Sequence, residues 1–132
     1  MAGLLSLLGC AGERPSTLGV HEGQLGTCPD SPNCVSSAEQ RDSHYIAPIH
    51  GTLQQIRQVL PQMAGARIIR EEGHYLYAEF TSRLMGFVDD VEFLEQEESG
   101  LVQVRSASRL GHSDLGVNRA RIEALREAIA SL

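Results

Sequence analysis

Lysine is absent from this chain: all 11 cations are arginines, set against 17 aspartates and glutamates for a formal net charge of −6. A face that neutralises phosphates makes its domain basic, and no basic cluster occurs here, so nucleic acid is excluded as a partner. No run of 18 apolar residues is present, which excludes a bilayer-spanning helix. Internal repeats and low-complexity runs are also missing. Domains cluster near roughly 100–150 residues, so a chain of 132 residues holds one core and no second domain.

Cysteine is scarce, with 3 in all. Residues 1–10, MAGLLSLLGC, are apolar with a small residue before Cys10, which resembles the end of a bacterial lipoprotein signal with Leu7-Leu8-Gly9-Cys10 as the lipobox. The stretch lacks the cationic start of such signals, and its plain alternative is an apolar tail. Lipidation at Cys10 leaves Cys28 and Cys34 as a pair, so the odd cysteine is accounted for. The expected division is a leader and tether over residues 1–17 and a single domain over 18–132.

Residues 11–39 are rich in Gly, Pro, Ser and Asp and carry little periodicity, the mark of an irregular loop. Within it, CPDSPNC places two prolines between Cys28 and Cys34, and in an oxidising envelope a disulfide closing this loop adds about 2 kcal/mol. The alternative is a metal pair completed by His44 and His50, although zinc sites usually use shorter cysteine spacings. No metal and no cofactor is expected.

Gly51-Thr52 opens a helix, with Thr52 as N-cap, Gln55 closing a capping box, and Leu53, Ile56, Val59 and Leu60 as its apolar stripe. Four strands follow by alternation: residues 67–71, 75–83, 88–94 and 101–109. Leu76, Ala78 and Phe80 share one face with Asp89, Val91 and Phe93 and with Val102, Val104 and Ser106. Tyr75, Tyr77, Glu79, Asp90, Glu92, Arg105 and Arg109 take the other. A last helix over 115–130, capped by Ser113 or Asp114, packs on the dry face. The fold class is α+β: a four-stranded antiparallel sheet, helices on one face, a solvated opposite face and a disulfide-closed N-terminal loop.

Three segments, CPDSPNCVSS, YAEFTSRLMGFVDDVEFLE and VRSASRLGHSDLGVNRARIEALR, together closely resemble the bacterial and plastid family catalogued as domain of unknown function 1499. The resemblance covers roughly residues 18–129. It implies a shared fold and carries no catalytic role, because the family has no established activity.

The sharpest chemistry is an arginine–carboxylate pattern. The loop 84–87 sets Arg83 opposite Val88 and diagonal to Asp90, and Arg105 falls opposite Asp90 or Glu92. The pattern is either a cross-strand salt ladder or a binding site. Arg119 and Arg121 sit in the first turns of the last helix, where the macrodipole disfavours cations; a bound anion or Asp89 would compensate them. The candidate ligand-binding residues are Arg83, Asp89, Asp90, Arg105, Arg109, Asp114, Asn118 and Arg119, and five of them (Arg83, Asp90, Arg105, Arg109, Arg119) are expected to join in one cluster. The expected protein is a small envelope module, lipid-anchored through Cys10, that binds a small anionic ligand or an envelope protein. The alternative is a hydrolase-like enzyme using Cys34 or His112.

Overall fold

The computed structural model describes residues 12–132; the expected lipidation at Cys10 lies outside them. Elements appear in the order β1 (Cys34–Ser36), β2 (Ile49–His50), α1 (Leu53–Val59), a 3-10 turn (Leu60–Gln62), β3 (Ala66–Glu72), β4 (Tyr75–Thr81), β5 (Val88–Gln96), β6 (Leu101–Ser108) and α2 (Val117–Ala130). The strands form one six-stranded sheet in the order β1-β6-β5-β4-β3, with β2 also pairing β6, and every pairing is antiparallel. The expected count of four strands is thus corrected to six. The two extra strands, CVS and IH, are too short to show an alternation, and both gain their hydrogen bonds on the free edge of β6.

Helix α1 starts as the sequence dictates. The Thr52 hydroxyl accepts the Gln55 N–H at 3.2 Å, and the Gln55 side chain accepts the Thr52 N–H at 3.1 Å. Both helices lie on one face of the sheet. Leu53, Ile56 and Val59 of α1 and Ile122, Leu125 and Ile129 of α2 close over Leu76, Phe80, Val91, Phe93, Val102 and Val104. These are the strand residues whose period-2 alternation placed them together.

The opposite face is not solvated. The segment leading into Cys28 crosses it and buries it. Leu25 packs on Tyr75 and Tyr77 with Leu18, Ile69 and Leu94 around them, while the Cys28–Cys34 disulfide rests on Ala107. In β3 Ile68 faces the helical core and Ile69 this second layer, as alternation requires, and a register shift after Ile68 brings Arg70 opposite Tyr77. Polar strand residues are therefore interior: Asp90 is 1% and Glu92 2% exposed. Part of the expected tether belongs to this cover, since Arg14 Nε donates to Glu79 at 2.8 Å.

The disulfide loop is braced from both sides. Glu39 accepts the Cys28 N–H at 3.1 Å, and Arg41 Nη2 donates to the Cys28 carbonyl at 2.7 Å. Arg41, with the Cys28 N–H, holds the Glu39 carboxyl far below the usual range. Asn33 donates to the Gly111 carbonyl at 2.9 Å and accepts the Ser108 N–H at its own carbonyl at 3.0 Å, so the loop fixes the end of β6. Replacing both cysteines by serine is expected to lower stability by about 2 kcal/mol, the chain-entropy value for so short a loop. Chemical denaturation of the oxidised parent and the double variant checks this; Cys34→Ser alone should match the double variant.

Candidate functional site

Sheet register sorts the arginine–carboxylate pattern into separate groups. Glu92 stands opposite Arg105, as alternation requires, but Asp90 faces Glu79 and Ala107. On the covered face, the Arg109 guanidinium lies between two carboxylates: Nε donates to Asp90 Oδ2 at 3.1 Å, and Nη2 donates to Asp90 Oδ1 at 2.8 Å and to Glu79. The Tyr77 hydroxyl sits between the same two carboxylates. Burial pushes Glu79 up, but Arg14, Tyr77 and Arg109 together outweigh it and bring its pKa down to about 2. Asp90 raises the Arg109 pKa further above its ordinary value. Burial and the neighbouring carboxylates push Tyr77 up, so its hydroxyl stays protonated.

The second group is centred on Glu92, which accepts the Gly19 N–H and the Tyr75 hydroxyl, both at 2.7 Å, and lies 3.7 Å from Arg105 Nη1. Arg105 also donates to the Thr27 carbonyl at 3.1 Å. No buried side-chain polar atom among the described residues lacks a partner. These networks tie the N-terminal segment to the sheet.

At the start of α2, Asp114 occupies the position where an anion was expected. Its carboxylate accepts the Gly116 N–H at 2.8 Å, the Asn118 N–H at 3.0 Å and the Asn118 side-chain amide at 2.7 Å. Burial opposes ionisation of Asp114, and these hydrogen bonds prevail to lower its pKa. Asn118, fully buried, also donates to Ser108 Oγ at 2.9 Å and the Asn33 carbonyl at 3.2 Å, and accepts from Ser106 Oγ at 2.6 Å. It positions α2 against β6 and the disulfide loop. Arg121 finds Asp89 at 2.8 Å and stacks on Phe80 with its guanidinium 4.5 Å from the ring centre. Arg119 points away and donates to the Ser43 carbonyl at 3.3 Å.

The structure thus brings Asp90 and Arg109 together, places Arg105 in the neighbouring group, and sets Asp114 with Asn118 at the helix start. Arg83 and Arg119 join none of these groups. Arg83 lies in the exposed loop after β4 because the hairpin closes at Thr81–Val88 and Ser82–Phe87, not at residue 83.

That loop forms one wall of a groove of about 840 Å³ at the end of the sheet where α2 begins. Its floor is Phe80, Val88 and the Asp89–Arg121 pair; Gly65, Leu110 and Val117 line its sides. Large apolar side chains surround it in water: Leu84, Met85, Phe87, Leu110, Leu115 and Val117 are all exposed, whereas elsewhere among the described residues only Val20, Tyr45 and Leu132 are. Concentration of apolar surface around a concavity marks an interaction site. Strand alternation passed over Leu84, Met85, Phe87 and Leu110 because they sit in loops, whereas Leu115 and Val117 fall in the expected last helix, of which only Val117 is helical. Apolar side chains inside RLMGF and RLGHSDLG, outside any alternation, were the available signal.

Cys34 Sγ is bonded to Cys28, so it offers neither a thiolate nor a metal ligand, and His44 Nδ1 instead lies 3.0 Å from the Cys34 carbonyl. His112 is exposed in the loop before α2. One group of metal-ligating types occurs among the described residues, His74 with Glu95 and Glu97 at the opposite end of the sheet, where His74 and Glu97 are exposed. No described helix is long and apolar enough to cross a membrane.

No curated protein and no solved structure matches the chain. A family model does match, over residues 24–129, from the segment that covers the sheet to the last turn of α2. The chain belongs to the family that this model describes, Protein of unknown function (DUF1499).

Proposed function

We propose that the protein is a non-catalytic binding module of the cell envelope, tethered by a lipid on Cys10, and that its ligand is an anionic amphiphile held in the groove at the α2 end of the sheet. The observation that carries this function is the groove itself: its volume of about 840 Å³ falls within the roughly 300–1,000 Å³ of small-molecule sites. Its floor is closed by an ion pair already satisfied, so a hydrocarbon chain fills it without stranding a charge. Arg83 at the rim carries no ion-pair partner among the described residues and supplies the cation for an acidic head group. The disulfide supports an oxidising compartment, and the apolar residues before Cys10 support the lipid tether. The Arg109 and Arg105 networks line no part of the groove and tie the N-terminal segment to the sheet.

Displacement of anilinonaphthalene sulfonate by oleate tests the groove. The parent protein is expected to bind oleate. Val117→Asp, which places a carboxylate in the groove at a helix start where the macrodipole favours it, is expected to bind at least tenfold more weakly without a lower melting temperature. A parent protein with no oleate affinity, or a variant that binds equally well, overturns the function.

A further inference from the structure

We propose that the loop tips beside the groove, carrying Leu84, Met85 and Leu115, insert into the surface of an anionic lipid bilayer and seat the domain with its groove end facing the membrane. The docking names the partner at the same end of the molecule, but it rests on the tips and not on the groove lining.

Leu84 is 94% and Leu115 95% exposed, on two loops far apart in sequence that converge on one end of the sheet. Each side chain stands outside any cluster of the domain, so its burial stabilises something other than the fold. Leu115 also holds a left-handed backbone, φ 54, a conformation that a bulky residue adopts only where its surroundings impose it. Capping by Asp114 imposes it here and turns Leu115 outward.

Charge selects the partner. The chain is acidic overall, with a formal net charge of −6, so most of its surface is repelled by anionic lipid. Arg83, adjacent to Leu84, is exposed and has no ion-pair partner among the described residues, while the carboxylates near the tips are occupied, Asp89 by Arg121 and Asp114 by the start of α2. Apolar tips flanked by a cation are the composition of interfacial anchors, in which side chains enter the acyl boundary and cations meet head groups.

Chain entry points the same way. The Gly12 carbonyl accepts from Arg109 Nη1 at 3.4 Å, and Gly12 packs against Leu110, where an added Cβ would lie 3.0 Å from Leu110 Cγ. The described chain therefore begins, at Gly12, beside the groove rim. A lipid on Cys10 would hold the domain near the bilayer without orienting it, and tips that insert at the same end would fix that orientation.

The test uses the full chain as Cys10→Ser, which removes acylation and keeps every other residue. Flotation with phosphatidylglycerol-containing vesicles and with phosphatidylcholine vesicles measures partition. The parent is expected to float with the anionic vesicles. Leu84→Asp/Leu115→Asp is expected to reduce that partition at least tenfold, whereas Val20→Asp/Leu132→Asp, which changes exposed apolar residues elsewhere, leaves it unchanged. Arg83→Gln is expected to remove the preference for anionic vesicles. Unchanged partition in the tip variant, or equal loss in the control, overturns the docking. So does a parent that elutes as a dimer and a tip variant that elutes as a monomer, since the tips would then cover a second copy. Val117→Asp separates this result from the groove ligand: it is expected to float like the parent while losing oleate.

Discussion

Replacing Arg109 by glutamine is expected to lower stability at pH 7 by about 3–5 kcal/mol, the scale for breaking a buried ion pair from one side. The side chain of Arg109 is 8% exposed and those of its partners Asp90 and Glu79 are 2% and 14% exposed, so water does not replace the lost guanidinium. Glu79 would keep Arg14, but Asp90 would be left with the shared Tyr77 hydroxyl alone in place of the guanidinium. Acid should relieve the defect. In the parent, the Glu79 pKa of about 2 lies below the roughly 4.3 of an unfolded glutamate. Its contribution is therefore present above about pH 4.3 and lost as pH falls toward 2. The variant lacks the Arg109 share of that contribution and keeps the larger share from Arg14, so the stability gap between parent and variant should hold from pH 7 to about pH 4.3 and narrow below it. Urea unfolding across this range measures both effects. A gap under about 1 kcal/mol at pH 7, the scale for an exposed pair, would mean that the N-terminal segment does not bury this face.

The same network shows where sequence reasoning stops. Alternation placed Asp90, Glu92, Arg105 and Arg109 on one face correctly, because side-chain parity in a strand is fixed by backbone geometry. Parity does not say what covers the face. Tyr75, Tyr77, Glu79 and Asp90 produce the same pattern facing water or facing another segment, and that segment has only Leu18 and Leu25 as apolar contacts in a run of Gly, Ser and Thr. Register between β4 and β5 was off by two residues: Ser82 and Phe87 exchange hydrogen bonds in both directions across the turn, which pairs Thr81 with Val88. A shift of two preserves parity. The core was therefore legible while Arg83 was assigned to the wrong neighbours. The capping box at Thr52 was legible because it depends on short-range chemistry, whereas the choice between a bound anion and Asp89 as the partner of Arg121 was not, since it joins elements far apart in sequence. The groove was not, since it arises where three connections meet.

Gly65→Ala is expected to cost about 2–5 kcal/mol, from roughly 1–2 for a left-handed non-glycine residue and 1–3 for overpacking. Gly65 has φ +78, and a Cβ there would stand 2.4 Å from the Thr81 carbonyl oxygen, a backbone atom that no rotamer can move. The close approach is built in, because the Thr81 N–H donates to the Gly65 carbonyl at 3.0 Å and holds the entry to β3 against the end of β4. Gly73 is the internal control. It also has positive φ, +56, but its Cβ would meet nothing within 4 Å. Gly73→Ala should therefore lose only the conformational part, about 1–2 kcal/mol, and the difference between the two variants isolates the backbone collision. Gly65 and Thr81 both line the groove, so Gly65→Ala should also weaken oleate binding, while Gly73→Ala at the far end of the sheet should not. Denaturant unfolding and oleate displacement on the same two proteins check both consequences. Equal stability losses would show that β3 and β4 do not approach this closely at the groove wall.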